Sequence, residues 1–187
     1  MQIKAGTALI IIDQQKGLDY PQLGTRNNLN AAAIMLSLLS SWRKNNLPII
    51  HIKHRSHCEE SVFWPGQEGF DVKPDFIPFG NEPIIEKNTP CAFTKTYLEE
   101  TLHDMGINSL VVVGASTSNS VEATVRTGSC RGFNIIVVED ACFTFSKPDY
   151  FGYQRTAQEV HAMSLANLQV EYAVIVHSSD LEFDVAT

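Results

Sequence analysis

Short runs of apolar residues, rich in isoleucine and valine, recur along the whole chain. Within each run, polar and apolar residues do not alternate, which is typical of strands that are buried on both faces of a parallel sheet. These runs predict strands at residues 8–12, 47–52, 83–85, 110–113, 135–138 and 172–176.

The segments between these runs carry apolar residues at helical spacing. They predict helices at residues 29–45, 94–104, 118–131 and 154–168. Gly106 and Gly132 stand where the second and third helices should end, as glycine often does at a helix C-terminus. Strands that alternate with helices in this way form right-handed crossovers. The sequence therefore predicts the α/β class, with a central, mostly parallel, doubly wound sheet of about six strands.

The chain of 187 residues is long enough for one domain, which we expect to span residues 1–187. Its formal net charge of −7 argues against general binding of nucleic acid, because phosphate groups are held by clustered lysine and arginine. The apolar run at 8–12 ends at Asp13, so it is too short to span a membrane or to act as a signal peptide. We expect a cytoplasmic protein that binds neither nucleic acid nor membrane.

The four cysteines form no CxxC pair, so the sequence indicates neither a zinc site nor a thioredoxin-type motif. His51, His54 and His57 fall in or just after a predicted strand, where their spacing would place them on alternate faces. His161 lies within a predicted helix, where we expect it to pack or to lie at the surface rather than to bind a metal. We therefore expect no metal and no cofactor.

A long segment without a regular pattern extends from Arg55 to Glu82 and contains several prolines and glycines. Loops of this length in compact domains are usually lids or binding loops. A disordered insert is the alternative, but aromatic residues in the segment favour an ordered and buried arrangement; they are Phe63, Trp64, Phe70, Phe76 and Phe79.

Polar residues stand where three of the predicted strands end. Asp13, Lys87 and the segment 116–120 each follow a strand, and the segment also opens a helix. Because ligands bind beyond the carboxyl ends of parallel strands, we expect these residues to lie along one edge of the sheet. The aspartate and the lysine could then pair, and the helix N-terminus could hold an oxyanion. Simpler roles stay open, with Asp13 capping a turn, Lys87 in solvent and 116–120 only capping its helix.

The ordered segments 8–15, 84–98 and 110–124 resemble the isochorismatase-like hydrolases, which include isochorismatases, nicotinamidases and N-carbamoylsarcosine amidases. The resemblance covers nearly the whole chain. It implies a three-layer α/β/α sandwich and an Asp–Lys–Cys catalytic triad.

Residue by residue, the resemblance places the catalytic aspartate at Asp13, the catalytic lysine at Lys87 and the nucleophile position at Ser120. It also implies a cis peptide bond between Ala115 and Ser116, which helps to aim the N–H groups of an oxyanion hole. Cys130 cannot replace the missing thiol, because it lies further along the same helix, about 15 Å from Ser120.

The serine at the nucleophile position bears on which of two reactions the protein catalyses, amide hydrolysis or vinyl ether hydrolysis. Amidase members of the family use a thiolate, and a serine hydroxyl in its place needs a strong adjacent base. The true isochorismatases of the family also lack the cysteine and cleave a vinyl ether, which can begin with protonation at carbon, followed by attack of water. In that route Asp13 is the acid, Lys87 orients substrate or water, and Ser120 binds a substrate oxygen.

The resulting prediction is a hydrolase that acts on a small, anionic molecule by isochorismate-type vinyl ether hydrolysis. Lys53 and Arg55 add positive charge beside His54, which would suit a carboxylate on the substrate.

We expect substrate contacts from His54 and from the pocket walls Gln15, Trp64 and Phe93, although core packing is the alternative for Trp64 and Phe93. Two alternatives for the function remain: an amidase of the nicotinamidase or N-carbamoyl amidase type that uses Ser120, and an inactive homologue that binds a metabolite or a partner. The resemblance further implies a homo-oligomer, either a dimer or a tetramer.

Overall fold

The computed structural model describes residues 1–183 of the chain. The strands are β1 (Gln2–Ile3), β2 (Thr7–Ile12), β3 (Ile49–His54), β4 (Ile84–Lys87), β5 (Ser109–Ala115), β6 (Asn134–Phe143), β7 (Lys147–Pro148), β8 (Gln154–Arg155), β9 (Val174–Val176) and β10 (Glu182–Phe183). The α-helices are α1 (Ala31–Lys44), α2 (Leu98–Asp104), α3 (Glu122–Cys130) and α4 (Ala157–Leu168). Within residues 1–183, no helix has both the length and the apolar character needed to cross a membrane.

Six of the strands form one parallel sheet in the order β4-β3-β2-β5-β6-β9. All residues of the central strand β2 are buried, as its continuous apolar run predicts. The predicted α/β class and the parallel sheet of about six strands are confirmed. Two small pairs lie outside this sheet, β1 with β10 and β7 with β8.

Helices cover both faces of the sheet, because successive residues of a strand point in opposite directions. On β2, Leu9 and Ile11 pack into a core that contains Trp42 of α1. The alternate residues Ile10 and Ile12 pack into a second core, to which α2, α3 and α4 contribute. The molecule is therefore a three-layer α/β/α sandwich.

The bounds of several elements differ from those that the sequence pattern predicts. Helix α4 begins at Ala157 because the two residues before Thr156 pair with β7 as strand β8. Thr156 then caps the helix, in a reciprocal pair of hydrogen bonds with Glu159. Helix α3 is preceded by a π-helical turn, Thr117–Val121, which the pattern had included in the helix. Strand β6 extends five residues beyond the predicted end, to Phe143.

The segment between β3 and β4 is ordered by two 3-10 turns, Glu68–Phe70 and Pro74–Phe76. Phe76 is buried in the core beside α1, in agreement with the expectation for this aromatic residue. The same expectation is wrong for Phe79, which is 75% exposed, with the guanidinium of Arg43 at 6.0 Å from its ring centroid.

Glu82 fastens the end of this segment to α1 and to β3. Its carboxylate accepts hydrogen bonds from Arg43 Nε at 2.7 Å, from His51 Nε2 at 2.9 Å and from the Phe79 N–H at 2.9 Å. Burial acts to raise the pKa of Glu82, but the hydrogen bonds from Arg43, Phe79 and His51 outweigh burial and lower the pKa to about 2.

We expect Glu82 to make the stability of the protein sensitive to acid. Because its pKa in the folded chain lies below the ordinary value of 4.5, the carboxylate stabilises the fold above that pH, and the contribution disappears as the pH falls toward 2. Glu82→Gln should lower the free energy of unfolding at neutral pH by about 2–3 kcal/mol and remove this part of the acid dependence.

Urea denaturation over a pH series measures the effect, with the exposed helix glutamate Glu100 changed to glutamine as a control. A Glu82→Gln variant that loses stability in acid as steeply as the wild type would contradict the role given to this carboxylate.

Candidate active site

Asp13 directly follows the central strand at the carboxyl edge of the sheet. Its φ of 55° lies in the left-handed region, which aspartate tolerates better than most residues. The Asp13 N–H donates to the carbonyl of Ile52 at 2.9 Å, so β3 holds the backbone of this turn. Asp13 is only 3% exposed, and a buried carboxylate needs hydrogen bonds or an opposite charge.

Lys87 supplies that opposite charge. It is the last residue of β4 and lies in register with His54 on β3, and its side chain crosses the end of β3 with no exposure to solvent. Lys87 Nζ lies 2.7 Å from Asp13 Oδ2, 3.2 Å from Ser120 Oγ and 3.3 Å from His54 Nδ1. These partners occupy all three N–H bonds of the ammonium.

Ser120 reaches the same cluster from the turn between β5 and α3, and it is 6% exposed. The Val121 N–H donates to the Ser116 carbonyl at 3.2 Å, which closes this turn. The peptide bond between Ala115 and Ser116 is cis, at the position that the family resemblance implies. The structure therefore brings Asp13, Lys87 and Ser120 together, and Lys87 does not point into solvent.

One carboxylate oxygen of the cluster has no hydrogen-bond partner. Asp13 Oδ2 accepts from Lys87, whereas Asp13 Oδ1 is buried without a donor within the described part of the chain. A free, oriented carboxylate oxygen in a dry site is well placed to exchange a proton with a substrate or with water.

His54 forms a further side of the cluster. Burial lowers the pKa of His54, and the neighbouring Lys87 ammonium lowers it further, so the ring is neutral at pH 7. A neutral ring with an unprotonated Nδ1 can accept the hydrogen bond from Lys87. The other side of the ring packs edge-to-face against Phe63, with the centroids 5.7 Å apart. His54 therefore supports the ammonium without adding charge.

Gln15 lies beside the site, but its amide is used by backbone groups. Gln15 Nε2 donates to the carbonyls of His54 and Phe70, both at 2.9 Å, and Gln15 Oε1 accepts from the His54 N–H at 2.8 Å. The side chain is completely buried. We therefore assign Gln15 to positioning His54 and the loop around Phe70, in place of the contact with substrate expected from the sequence.

The two aromatic residues expected in the pocket walls lie in different surroundings. Phe93 is 3% exposed and stacks on Phe133, with its ring against Gly128 two turns of α3 beyond Ser120. Phe93 therefore packs in the core, which was its alternative role, and does not form a wall of the site. Trp64 is partly buried in the segment after β3, and its contact with a substrate stays a prediction.

The two cations expected beside His54 share one carboxylate. Arg55 Nε lies 2.6 Å from Glu86 and Lys53 Nζ lies 3.8 Å from the same carboxylate. Lys53 Nζ also sits 3.4 Å above the ring of Phe70. Both cations therefore have partners other than the Asp13–Lys87 pair. Because one carboxylate offsets only one of the two charges, the preference for an anionic substrate stays a prediction.

The histidines of β3 and the following loop have separate environments. His51 bonds Glu82, His54 bonds Lys87 and His57 is exposed. Within residues 1–183, no three histidine, cysteine, aspartate or glutamate side chains are grouped so that they could hold a metal ion. Cys130 is exposed at the end of α3, and burial raises the pKa of the Cys142 thiol to about 12, so neither is a second nucleophile of the cluster.

A buried network on the other side of the turn was not predicted as part of the site. Thr117, in the same turn as Ser120, bonds His161 Nδ1 at 2.9 Å, and both residues are almost completely buried. Burial lowers the pKa of His161, and the backbone of Glu139 is its other partner. Asn28 Nδ2 donates to that same Glu139 carbonyl at 2.9 Å. Nothing in the helical spacing of His161 could have shown that it braces this turn.

Comparison with known proteins agrees with this arrangement. Residues 7–179 match the isochorismatase domain, and the chain therefore belongs to the isochorismatase family. It is 35% identical over 174 residues to YrdC, an uncharacterised isochorismatase family protein of Bacillus subtilis, with 93% of each chain covered. A solved structure of an isochorismatase-family protein from Chromobacterium violaceum is 45% identical, has a TM-score of 0.92 and shares 96% of this chain and 94% of its own.

Relatives with named activities are more distant. An isochorismatase structure from Pseudomonas putida is 32% identical, with a TM-score of 0.87 over 95% of this chain and 90% of that chain. Nicotinamidase 3 of Arabidopsis thaliana is 25% identical over 93% of this chain and 86% of its own length. The chain is accordingly an isochorismatase-family hydrolase, and its relatives include enzymes with different substrates.

We expect Thr117 and His161 to be energetically coupled. Thr117→Val keeps the shape of the side chain but leaves His161 Nδ1 buried without a donor, which should lower the free energy of unfolding by about 1–3 kcal/mol. In a His161→Phe background, the same Thr117→Val change should cost much less, because the unpaired acceptor is gone. Urea denaturation of the four proteins measures the coupling. Equal costs of Thr117→Val in both backgrounds would show that the two side chains do not support each other.

Proposed function

We propose that this protein hydrolyses a small molecule of the vinyl ether type without forming a covalent intermediate on Ser120. Asp13 transfers the proton, Lys87 holds Asp13 and Ser120 in place, and the Ser120 hydroxyl binds a substrate oxygen. The observation that carries the proposal is that Ser120 Oγ has the Lys87 ammonium as its partner at 3.2 Å, while the free acceptor Asp13 Oδ1 makes no bond to it among the described residues.

This arrangement gives Ser120 no base to make it a nucleophile. An ammonium donates hydrogen bonds and has no lone pair with which to take the hydroxyl proton. A serine must lose its proton to a neighbouring base as it attacks. Water does not need Ser120 for that step, because a water molecule that enters with the substrate would meet the unpaired Asp13 Oδ1 directly.

The reaction then balances as follows. The cycle begins when Asp13 takes up a proton from solvent on Oδ1. This proton adds to the terminal carbon of the vinyl group, which leaves a cation stabilised by the ether oxygen. Water adds to the cationic carbon and returns a proton to Asp13 Oδ1. The resulting hemiketal separates into a ketone and an alcohol. Lys87 stays on Oδ2 throughout, so the exchange of protons is confined to the other oxygen.

Any carboxylate on the substrate would have to be held by backbone N–H groups of the turn 116–121, which precedes α3. A helix N-terminus favours a negative charge at that position. Lys53 and Arg55 share the single carboxylate of Glu86, which offsets only one of their two positive charges.

An amidase is the second candidate. The similarity to Nicotinamidase 3 and the position of Ser120 in the same buried cluster as Asp13 favour it. In this route the Ser120 hydroxyl attacks the amide carbonyl, its proton passes to Asp13, and the leaving nitrogen takes that proton. Water, deprotonated by Asp13, then cleaves the ester on Ser120, which releases the acid and restores the hydroxyl. Substrate binding would have to bring Asp13 Oδ1 within reach of Ser120. A third outcome, binding of a metabolite without turnover, belongs to an inactive homologue.

Substrate assays of matched variants separate these routes. The purified protein is tested with isochorismate, nicotinamide and simple N-carbamoyl amides. If the proposal is correct, isochorismate is turned over, Asp13→Asn lowers kcat by about 10²–10⁴-fold, and Ser120→Ala lowers kcat/KM by only about 10-fold, as expected for one lost hydrogen bond. Ser129→Ala, on α3 and away from the cluster, is the control.

Turnover of amides alone, abolished by Ser120→Ala as fully as by Asp13→Asn, would contradict the proposal and establish the amidase. Ser120→Cys supplies a further check, because a thiol in this position should create or raise amidase activity. If Ser120→Cys behaves like Ser120→Ala on every amide, Ser120 does not occupy the nucleophile position. Ligand-dependent thermal stabilisation without any turnover would indicate the inactive homologue.

A further inference from the structure

Two adjacent residues between β2 and α1 each hold a buried hydrogen-bond donor without an acceptor. The donors are Arg26 Nε and Asn27 Nδ2, and neither has a partner among residues 1–183. Leaving a buried donor unpaired costs about 1–3 kcal/mol, so such a group in a folded protein calls for an explanation, such as a bound ion or ligand. Asp13 Oδ1 has the opposite need, because it is a buried acceptor without a donor in the same part of the chain.

The side-chain amide of Asn27 is held in one orientation. Asn27 Oδ1 accepts from the Thr144 N–H at 2.8 Å, and the Asn27 N–H donates to the Thr144 carbonyl at 3.2 Å. Turning the amide over would set one N–H group against another, so it cannot give Nδ2 a partner. Asn27 is only 8% exposed. Its Nδ2 is therefore a fixed donor that is ready for an oxygen atom.

The strand order places this amide near the reacting groups. Thr144 directly follows β6, and β5 lies between β6 and β2, which ends at Asp13. Adjacent strands are about 4.8 Å apart, so the ends of β2 and β6 are separated by roughly 10 Å. The turn that contains Ser120 begins at the end of β5, between the two. A small substrate can therefore reach Asp13 with one end and Asn27 with the other.

The same turn adds a hydroxyl donor. Ser118 Oγ and Thr144 Oγ1 lie 2.9 Å apart, and either of them can be the donor to the other. This bond uses one of the two hydroxyl protons and leaves the second one for a ligand. Thr144 thus holds both the amide of Asn27, through its backbone, and the hydroxyl of Ser118, through its side chain.

Arg26 brings a positive charge that is only partly offset. Its guanidinium lies 3.8 Å above the ring of Phe143, and Nη1 is 4.0 Å from Asp19 Oδ1. Lys73 Nζ is closer to the same oxygen, at 2.7 Å, so one carboxylate serves two cations. Burial lowers the pKa of Arg26, and the charge of Asp19 acts against this effect. One positive charge is therefore left for an anion.

We propose that Arg26 and Asn27 form a carboxylate subsite of the active site. A carboxylate of the substrate accepts from Asn27 Nδ2 and from the hydroxyl pair of Ser118 and Thr144, and Arg26 supplies the opposite charge. These side chains add to the backbone N–H groups of the turn 116–121. Because Asn27 Nδ2 and Asp13 Oδ1 are both buried, the cleft has to open for a substrate to reach them.

The assignment of this subsite to the substrate rests on the proposed function, whereas the binding of a carboxylate does not. The subsite narrows the substrate class to molecules with a carboxylate at the end remote from the reacting bond. A carboxylate probe that is not turned over tests the subsite alone. A failure of the subsite and a failure of the proposed chemistry are therefore distinguishable.

Calorimetric titration with benzoate and with benzamide, its neutral analogue of similar shape, tests the subsite. The wild type should prefer benzoate. Asn27→Asp keeps the acceptor for the Thr144 N–H but replaces the free donor with a charged oxygen, and Arg26→Gln removes the positive charge. Each should weaken the binding of benzoate by at least about 10-fold and change that of benzamide by less than about 2-fold. Asn46→Asp adds the same charge at an exposed position after α1 and should bind both compounds like the wild type.

Four results would overturn the proposal. The wild type could bind benzoate no better than benzamide, or both variants could bind benzoate as the wild type does. Variants that lose both compounds alike would show that Arg26 and Asn27 only support the fold. Inorganic phosphate is titrated in parallel, and phosphate that binds as tightly as benzoate would indicate a general anion site in place of a carboxylate subsite.

Discussion

The Lys87 ammonium and the Asp13 carboxylate form an ion pair that is almost completely removed from water. Taking two charges out of water costs several kcal/mol for each ion, and only close contact and further hydrogen bonds recover that cost. The pair therefore constrains everything around it. Ser120 and His54 are needed because they take the remaining N–H groups of the ammonium, and the strand ends must bring all four side chains to one point.

The parallel sheet meets this requirement through its strand order. β4, β3, β2 and β5 are neighbours, so Lys87, His54 and Asp13, with the turn after β5, lie side by side at one edge. Buried groups that do not react hold the edge in place: Gln15 ties the end of β3 to the following loop, and Thr117 ties the Ser120 turn to His161 on α4. A buried ion pair stabilises a fold little by itself, and the proton transfer that we propose at Asp13 gives a reason for its presence.

The sequence predicted the sheet well, because a strand that is buried on both faces needs a continuous run of apolar residues. Such runs, for example 8–12, are visible in the sequence. Strand ends also indicated Asp13, Lys87 and Ser120, which the structure brings together. The spacing of residues along the chain does not show which groups a side chain contacts in the folded protein. The sequence therefore could not show that Gln15 bonds backbone groups of His54 and Phe70, or that Phe93 packs in the core. Strand β8 was missed because the helix predicted at 154–168 includes both of its residues.

A double-mutant cycle of the buried pair is the most direct test of the account. Asp13→Asn and Lys87→Met each leave one polar partner buried without its opposite charge, and each should lower the free energy of unfolding by about 3–5 kcal/mol. The double variant should be much more stable than the sum of the two losses predicts, since it buries no unpaired charge. Losses that simply add, or that stay within about 0.5 kcal/mol, would show that the two charges do not meet in a dry site.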